Sequence, residues 1–389
     1  MRHAPLRLGA ALVAGAFLIL MPAPQAAAEL KVGVSGYIKL DIQYGDKNTG
    51  SFPSSAPGDT PLDGDKERDN DQTIIDARQS RLRATISDDV GGVKMSGRIE
   101  ADFFSGDGTA LSSNSRHFRL RHAFIRGDHP SGFFLLAGQT WSLIMNSDVA
   151  QPDLVDFNGP AGQIFSRQPQ LIAGYRLPVA GGDLILAGNV EKHSVPDLGS
   201  TTVNEAQGSG QDVPLFTGKV SWLGKMVQVE AGFAASESRV TLVGGQRASE
   251  TAWMGQVSGQ VNVGQVSVFA HYHHSDGLSR LASGDFPTAF LVGADLGNVE
   301  SDGWFAGVSY RLSKNTSLNG VFGWAKADEI AGAFTGDSLE KHQSIHANII
   351  HKFWERWQVG LEYKRFDVEG FSGREGDVNI VNGAVWYFF

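Results

Sequence analysis

Hydrophobic and polar residues alternate along many short stretches of this chain. In SGYIKLDIQYGD, one face consists of Ile38, Leu40, Ile42 and Tyr44. The same two-residue period occurs in SRLRATIS, VKMSGRIEADF, KMVQVEAGF, GQVSVFAHYH, DGWFAGVSYRL and QSIHANIIHKF. A period of two residues indicates extended strands with one apolar and one polar face. The core of a soluble β-sandwich has this period too, so the alternation predicts strands without deciding the fold.

The lengths of the connections separate these two folds. Tight turns such as DVGG and GDHPSG alternate with longer connections such as 47–72, 143–163 and 276–299. This sorting and an even number of strands are typical of outer-membrane barrels, whereas a sandwich has no reason to sort its loops. We therefore predict an all-β fold, a transmembrane antiparallel β-barrel of about 16 strands that forms one domain over residues 29–389. The predicted strands are 33–46, 73–87, 93–105, 115–127, 132–142, 164–177, 182–194, 212–222, 225–236, 249–262, 264–275, 300–312, 315–327, 340–353, 356–370 and 377–389.

The N-terminal segment has the features of a secretory signal peptide. Arg2 and Arg7 precede an apolar run from about Gly9 to Met21, and an A-x-A cleavage motif ends at Ala28. An uncleaved membrane anchor is the alternative, but the apolar run is short for a membrane span and two prolines follow it. We therefore predict a signal peptide over residues 1–28 and export of the mature chain.

The composition excludes several classes of function. The chain has no cysteine, which excludes disulfide frameworks and thiolate metal sites. Loss of Arg2 and Arg7 with the signal peptide takes the formal charge from -9 to -11, which argues against a nucleic-acid-binding protein.

The chain ends in NGAVWYFF, and four terminal aromatic residues are unusual for a soluble domain. On the last predicted strand, Val385, Tyr387 and Phe389 share a face, which we expect to contact outer-membrane lipid near the membrane interface. A terminal Phe on such a strand resembles the signal that the barrel-assembly machinery of outer membranes recognises. We therefore expect Phe389 to serve both as a lipid anchor and as an insertion signal.

Positive residues cluster on the predicted inner face of the early strands. Neighbouring strands place them side by side, and such a wall attracts carboxylates and phosphates. The alternative is that these charges pair with Glu100, Asp102 or Asp76, because desolvated charges in a barrel need partners. The inward positive residues are Arg81, Arg83, Lys94, Arg98, Arg119 and Arg121.

The connection after the fifth strand is long and carries Asp148, Asp153 and Asp156. It is the third long loop, and in general porins this loop folds into the lumen with its acids facing a basic ladder. A surface loop is the ordinary alternative. We expect the inward position, because an unfilled lumen of this width passes nearly any small solute.

Six stretches carry a resemblance to a known family: DARQSRLRAT, GRIEADFF, RLRHAFIR, GQTWS, VDFNGPAG and SRQPQ. Together they are similar to the DcaP-like outer-membrane porins, most strongly from Asp76 to Gln170. The resemblance implies a homotrimeric sixteen-stranded channel of a Gram-negative outer membrane that prefers small anionic solutes, especially dicarboxylates. It also implies an inward loop from Asp153 to Gly162. The lumen residues that it implies are Arg78, Arg81, Arg83, Arg98, Arg119 and Arg121.

Strict alternation places Arg78 on the face opposite to Arg81. The outward residues Ala84 and Gly97 are small enough to let neighbouring barrels approach one another, which fits a trimer.

Two other functions compete with a channel. An outer-membrane enzyme needs a nucleophile and a base, and the chain contains no G-x-S-x-G, P-loop or zincin motif. His271 and His273 share a strand face, but a third metal ligand is missing, and we interpret them as interface histidines. The second competitor is a structural or adhesin barrel with a plugged lumen. We expect no enzyme activity, no metal and no cofactor.

Overall fold

The computed structural model describes residues 30–50, 56–105, 108–109, 115–195, 209–210, 213–241, 247–282, 286–292, 295–329 and 338–389. The predicted signal peptide, residues 1–28, lies outside the described residues.

Sixteen antiparallel strands close into one barrel, as the alternation predicts. Each strand pairs with its neighbours in the chain, and the last strand pairs with the first from Tyr37–Phe388 to Gly45–Ile380. Closure pairs the first and last strands of this sheet with each other, as a barrel in hydrocarbon requires. The strands are β1 Lys31–Gly45, β2 in two segments Gln72–Asp76 and Arg81–Val90, β3 Val93–Asp102, β4 Arg119–Asp128, β5 Phe133–Trp141, β6 Arg167–Val179, β7 Gly182–Glu191, β8 Leu215–Gly224, β9 Val227–Thr241, β10 Arg247–Val263, β11 Val266–Asp276, β12 Glu300–Arg311, β13 Thr316–Ala327, β14 Leu339–Phe353, β15 Trp357–Gly370 and β16 Glu375–Phe388.

The long connections contain a few short elements. Three are 3-10 helices, Pro57–Asp59, Lys66–Asp69 and Ser279–Leu281. In the described part of the chain, no helix is long and apolar enough to cross a membrane. The others are two-stranded hairpins: Gly108–Thr109 with Ser115–Arg116, Ser194–Val195 with Ser209–Gly210, and Ala289–Val292 with Asp295–Asn298.

The inner face of the barrel is polar and the outer face is apolar. On β1, Lys39 and Asp41 point inward and are at most 2% exposed. Ile38, which points outward, is 62% exposed. The short turns lie at one end of the barrel, the end at which β1 begins and β16 ends. This is the arrangement of a membrane barrel, in which the side chains that point inward line a lumen.

Strand β2 is interrupted, and the interruption reverses its faces. Its first segment pairs Asp76 with Asp41 of β1, and its second pairs Arg81 with Tyr37, so β2 contains one residue more than β1 between these pairs. The Ser80 hydroxyl accepts a hydrogen bond from the Lys39 amide at 3.0 Å, which replaces a missing ladder bond. Even-numbered residues therefore face inward up to Asp76, and odd-numbered residues face inward from Arg81.

Candidate channel constriction

The connection between β5 and β6, residues 142–166, lies inside the barrel and is called the inward loop below. Its backbone accepts hydrogen bonds from inward-facing side chains of three separated strands. Lys39 of β1 donates to the Val155 carbonyl at 2.7 Å, and Asn348 of β14 donates to the Asp153 carbonyl at 2.9 Å. Lys219 of β8 donates to the Met145 carbonyl at 3.2 Å. These contacts fix the loop to opposite parts of the inner wall.

The far end of the inward loop approaches the wall so closely that glycine is required. A Cβ atom added to Gly323 of β13 would lie 2.3 Å from the Ala161 carbonyl oxygen. Gly162 has a φ of +76°, and a Cβ there would lie within 2.8 Å of the Trp304 backbone. The Ala161 amide donates to the Ser344 hydroxyl at 2.8 Å. Backbone-to-backbone packing therefore holds this end of the loop.

Asp156 fastens the middle of the inward loop to the wall. Its carboxylate accepts a hydrogen bond from the Lys364 ammonium at 2.5 Å, and both side chains are at most 1% exposed. Beside it, Glu362 accepts from the Val155 amide at 2.5 Å. Lys364 and Glu362 belong to β15, across the β1–β16 seam from the arginines, so the partner of Asp156 in this bond is a lysine outside the predicted basic ladder.

Asp153 is the loop acid that faces the water of the lumen. Its side chain is exposed, yet protein surrounds the narrow space on which it opens. Burial raises the pKa of Asp153; the charge of Lys352 lowers this pKa and that of Glu362 raises it. The ionised form of Asp153 is therefore less favoured than that of an aspartate in open water.

A second segment, residues 277–282, packs onto the inward loop from the long-loop side. The Phe165 amide donates to the Leu281 carbonyl at 2.8 Å. Leu281 is fully buried and belongs to an apolar cluster that also contains Ile144 and Ile164 of the inward loop. Alternation along the strands gives no indication of this contact, so the sequence predicted only one of the two segments inside the barrel.

Opposite the fastened part of the loop, six inward guanidinium groups form a continuous surface that we call the arginine wall. Five of these residues were predicted, and Arg167 was missed because it opens strand β6 rather than lying inside an alternating run. The motif SRQPQ already contained it. The members of the arginine wall are Arg81, Arg83, Arg98, Arg119, Arg121 and Arg167.

A bulge in β4 shapes the centre of this wall. The pairing of β3 with β4 shifts by one residue where Glu100 faces His122 and Ala101 faces Leu120, which leaves Arg121 as the extra residue. Arg121 and His122 are consequently both buried on the inner side, at 2% and 4% exposure. A β-bulge re-aims side chains in this way next to functional sites.

Two carboxylates of β3 hold three of the arginines closely, and Glu100 also forms a longer ion pair with Arg81 at 3.7 Å. Arg83 lies 2.6 Å from Glu100, and Arg119 donates two hydrogen bonds to Asp102 at 2.9 and 2.8 Å. Arg121 lies between both acids, at 2.9 Å from Glu100 and 2.8 Å from Asp102. The predicted alternative, that acids of the wall pair with these charges, is thus confirmed for part of it.

The remaining three arginines keep free donors. Among the described residues, the Nε of Arg81 and an Nη of Arg167 have no acceptor, and Arg98 has no carboxylate within 4.0 Å. Aromatic rings support them: Arg81 lies 5.4 Å from the ring of Tyr37, and Arg167 lies 4.6 Å from that of Trp141. Six arginines and two carboxylates give the wall a local charge of +4.

A cavity of about 280 Å³ lies between the wall and the loop. Arg81 and Arg121 line it from the wall, and Asp153 and Asp156 line it from the loop. Its polar rim and its aromatic faces allow a small charged solute to exchange water for guanidinium contacts. The aromatic residues that line the cavity are Tyr37, Trp141, Phe157, Phe165 and Trp386.

Two predicted basic residues lie away from this cavity. Arg78 is in the interruption of β2, is 8% exposed, and lies 3.1 Å from Asp76. The interruption reverses the alternation, so the expectation that Arg78 faces opposite to Arg81 does not hold there. Lys94 is exposed at the short-turn end of β3.

The two histidines singled out from the sequence face the lumen. His271 and His273 are at most 2% exposed and lie on the inner side of β11, so their interpretation as interface histidines is wrong. The Nδ1 atom of His271 lies 2.9 Å from the Ser258 hydroxyl. Within the described ranges, no group of three or more acidic, histidine or cysteine side chains is placed to hold a metal ion.

Several solved structures share this architecture. The outer membrane channel DcaP of Acinetobacter baumannii matches with a TM-score of 0.76 and 20% identity, over 95% of this chain and 100% of that chain. OmpT of Vibrio cholerae in its trimer form matches with a TM-score of 0.59 and 12% identity, over 92% and 99%. An anion-selective porin from Comamonas acidovorans matches with a TM-score of 0.58 and 13% identity, over 93% and 100%.

The match to DcaP confirms the resemblance drawn from the six sequence stretches. No protein with a curated description matches the chain. The family model of the Gram-negative porins matches residues 10–370. The chain therefore belongs to the Gram-negative porin family, and it is an outer-membrane channel protein rather than an enzyme.

Proposed function

We propose that this porin is a diffusion channel that prefers small anionic solutes, with dicarboxylates as the favoured class. The observation that carries the proposal is the local charge of +4 on the arginine wall, two of whose members, Arg81 and Arg121, line a cavity of about 280 Å³. A positive surface in a narrow lumen concentrates anions and repels cations. The match to an anion-selective porin from Comamonas acidovorans supports the same preference.

The six arginines have two roles in this proposal. Arg83, Arg119 and Arg121 are oriented by Glu100 and Asp102, which keeps the wall rigid. Arg81, Arg98 and Arg167 supply the free donors that meet the solute. Because free guanidinium groups are available at more than one point, a solute with two carboxylates gains more contacts than a monocarboxylate. Arg78 and Lys94 add positive potential on the approaches to the wall.

The inward loop sets the width of the channel in this proposal. Asp153 lines the cavity opposite the arginines, so its negative charge moderates the anion preference. Asp156 acts on the channel by holding the loop in place.

We infer that the protein works as a homotrimer in the outer membrane after removal of residues 1–28. The trimer form of OmpT supports this assembly. Phe389 is 42% exposed at the end of β16, where its amide donates to the Gly36 carbonyl at 3.2 Å. This exposed terminal ring fits contact with lipid and recognition by the barrel-assembly machinery.

Reversal potentials across a planar bilayer test the anion preference. In a low-salt KCl gradient we expect the triple variant Arg81→Gln, Arg98→Gln, Arg167→Gln to lose or reverse the preference, because half of the wall's cations are removed. Arg365→Gln is the matched control, because Arg365 is paired with Asp367 on the outer side of the barrel. At 1 M salt the wild-type preference should weaken, since the Debye length falls to about 3 Å. A triple variant with wild-type selectivity would show that the wall does not select solutes.

Uptake into liposomes tests the solute class. We expect dicarboxylates to enter faster than monocarboxylates, amino acids or sugars of similar size, and the triple variant to lose this order. Equal uptake of mono- and dicarboxylates would contradict the dicarboxylate preference while leaving an anion channel intact.

A plugged structural barrel is the second candidate, because the inward loop and residues 277–282 both pack inside the lumen. Single-channel recording separates the two. Folded protein that gives no conductance steps would favour the plugged barrel.

A further inference from the structure

Part of the lumen wall is apolar, on the short-turn side of the arginine wall. Near the long-loop end, the inward residues of β4, β6 and β7 include Arg121, Gln170 and Glu191, and toward the short-turn end they become apolar. The interior of a membrane barrel is ordinarily polar, because it meets water. We call this surface the apolar patch, and its members are Phe124 on β4, Phe134 and Leu136 on β5, Ile172 on β6, and Ile185 and Ala187 on β7.

The strand register brings these side chains into one continuous surface. Leu136 of β5 pairs with Ile172 of β6, and Phe134 pairs with Gly174. Gly174 leaves room for the phenyl ring, since a Cβ atom there would lie 2.4 Å from Phe134. Phe134, Leu136 and Ile172 are at most 7% exposed, and the other members of the patch pack against them from β4 and β7.

The inward loop covers other apolar residues of the lumen but leaves much of this patch open. Phe305 of β12 and Val321 of β13 also point inward, and they pack in one cluster with Val149 of the loop. Among the described residues, the loop contributes Leu143 alone to the cluster that contains the apolar patch. The members of the patch that remain half-buried, with their free surface toward the lumen, are Phe124, Ile185 and Ala187. Apolar surface in contact with water is unfavourable, so a solute that covers it gains free energy.

A free cation borders the apolar patch. The guanidinium of Arg98 lies 5.9 Å from the ring of Phe124, and no carboxylate of the described residues lies within 4.0 Å of it. A carboxylate that binds Arg98 therefore brings the rest of its molecule against Phe124 and the neighbouring apolar side chains.

The polar side chains around the patch are already paired with one another. Asn189 of β7 donates to Gln170 of β6 at 2.7 Å. At the short-turn side, Arg126 donates to Asp128 at 2.9 Å and lies over the ring of Phe134 at 4.1 Å. A hydroxyl group of a solute that rests on the patch therefore gives up its bonds to water without a ready partner, which is costly.

We propose that the apolar patch binds the hydrocarbon body of a carboxylate solute whose charge is held at Arg98. The channel then favours anions with an aliphatic or aromatic body over polyhydroxylated anions of the same charge and chain length. This inference rests on the proposed anion channel and adds which anions it takes. The aliphatic body leaves water for the patch, whereas the hydroxylated body is better solvated in water.

Two dianions with the same carbon chain test this preference. Hexanedioate has an aliphatic body, and glucarate carries a hydroxyl group on each inner carbon. Reversal potentials in planar bilayers, measured for each dianion against chloride, give the two permeabilities. We expect hexanedioate to permeate better through the wild type. Equal permeabilities would overturn this inference, and the chloride-over-potassium preference in the same bilayers shows separately whether the anion channel stands.

Substitutions within the apolar patch test its role. Ile185→Thr should lower the ratio of hexanedioate to glucarate permeability by up to about fourfold, the equivalent of one buried methylene. The double variant Phe124→Gln, Ile185→Thr should lower it further, and Ile185→Leu, which keeps the patch apolar, should retain it. Heat-modifiable mobility checks that each variant folds.

Val321→Thr is the matched control, because Val321 is an inward apolar residue that the inward loop covers. It should keep the wild-type ratio, since a solute does not reach it. A wild-type ratio in Ile185→Thr and in the double variant would overturn the inference. So would an equal loss in Val321→Thr, because the effect would then come from the packing of the barrel.

Discussion

Arg121 illustrates how a single residue combines channel chemistry with stability. Its side chain is 2% exposed, and it bonds both Glu100 and Asp102, so its charge is largely balanced. Removing it leaves two buried carboxylates with fewer partners. The wall therefore depends on its acids as much as on its arginines, because the acids hold the buried guanidinium groups in place.

Substitution of Arg121 should destabilise the barrel. We expect Arg121→Gln to lower the free energy of unfolding by about 3 kcal/mol, the lower end for a broken buried pair, because Arg83 and Arg119 still contact the two acids. Urea unfolding in micelles measures the change. Arg126→Gln is the control, since its pair with Asp128 is partly exposed and should contribute less than about 1 kcal/mol. Equal losses in both variants would show that the acids do not depend on Arg121.

The ionisation of Asp153 should make the selectivity of the channel depend on pH. Burial raises its pKa, so as the pH falls this carboxyl is neutralised earlier than an ordinary aspartate, whose pKa is about 3.9. We expect the anion preference to rise at that point, because one negative charge leaves the cavity. Asp153→Asn should have the higher preference already at neutral pH and should lack this step. Reversal potentials over a pH series measure it, and identical curves for wild type and variant would exclude Asp153 as the group that titrates.

At the scale of elements, the inward loop is held by a small number of strong contacts. Lys364 holds Asp156, Glu362 accepts from the loop backbone, and Gly323 permits close approach. These contacts belong to two strands, β13 and β15, and Lys39 of β1 and Lys219 of β8 hold other parts of the loop. The loop is therefore attached on several sides of the lumen, and the cavity remains between it and Arg81 and Arg121 of the arginine wall.

Loosening this attachment should widen the channel. We expect Lys364→Met to leave Asp156 without its ammonium partner, which favours a loop displaced toward water. Single-channel recordings should then show a larger and noisier conductance with weaker anion preference. Lys341→Met is the control, because Lys341 is paired with Glu369 on the outer side of the same hairpin. If both variants conduct like the wild type, the inward loop does not limit the conductance.

The sequence predicted the strands well because each strand is a run of alternating residues. The predicted ends are off by only a few residues, which is short compared with the length of the run. It failed where one added residue resets the alternation. The extra residue between Asp76 and Arg81 and the bulge at Arg121 are both sites of this kind. Their positions depend on bonds to other strands, such as that between Ser80 and Lys39, which the local pattern does not contain. The same holds for the contact of Phe165 with Leu281, because two connections meet there.

At the scale of the whole molecule, the net charge and the proposed anion preference point in opposite directions. The full chain carries a formal charge of -9, yet the arginine wall carries +4. A permeating solute responds to the potential inside the narrow lumen, where water is scarce and screening is weak, more than to distant surface acids. Composition alone therefore argues against anion binding, whereas the arrangement of the strands supports the proposed preference.

The outer surface of the early strands is suited to contact with other barrels. Small outward residues lie there among larger ones: Ala84 on β2 and Ala137 on β5 are both exposed, beside side chains such as Ile99. Gly97 has a different reason for its size, because a Cβ there would lie 2.7 Å from Ile86 of the same barrel. The outer surface around Ala84 is where we place the trimer contact, because a small residue there lets a neighbouring barrel approach.

Enlarging one of these alanines should separate the trimer. We expect Ala84→Trp to give monomers by native mass measurement in mild detergent, because an indole prevents the close approach of two barrels. Ala347→Trp is the matched control: Ala347 is an exposed outward alanine of β14, where the ring meets lipid and the trimer should persist. Both variants should keep their β-rich circular dichroism and their heat-modifiable mobility, since neither side chain enters the lumen. Trimers from Ala84→Trp together with monomers from Ala347→Trp would move the contact to the opposite side of the barrel, and monomeric wild type would refute the trimer itself.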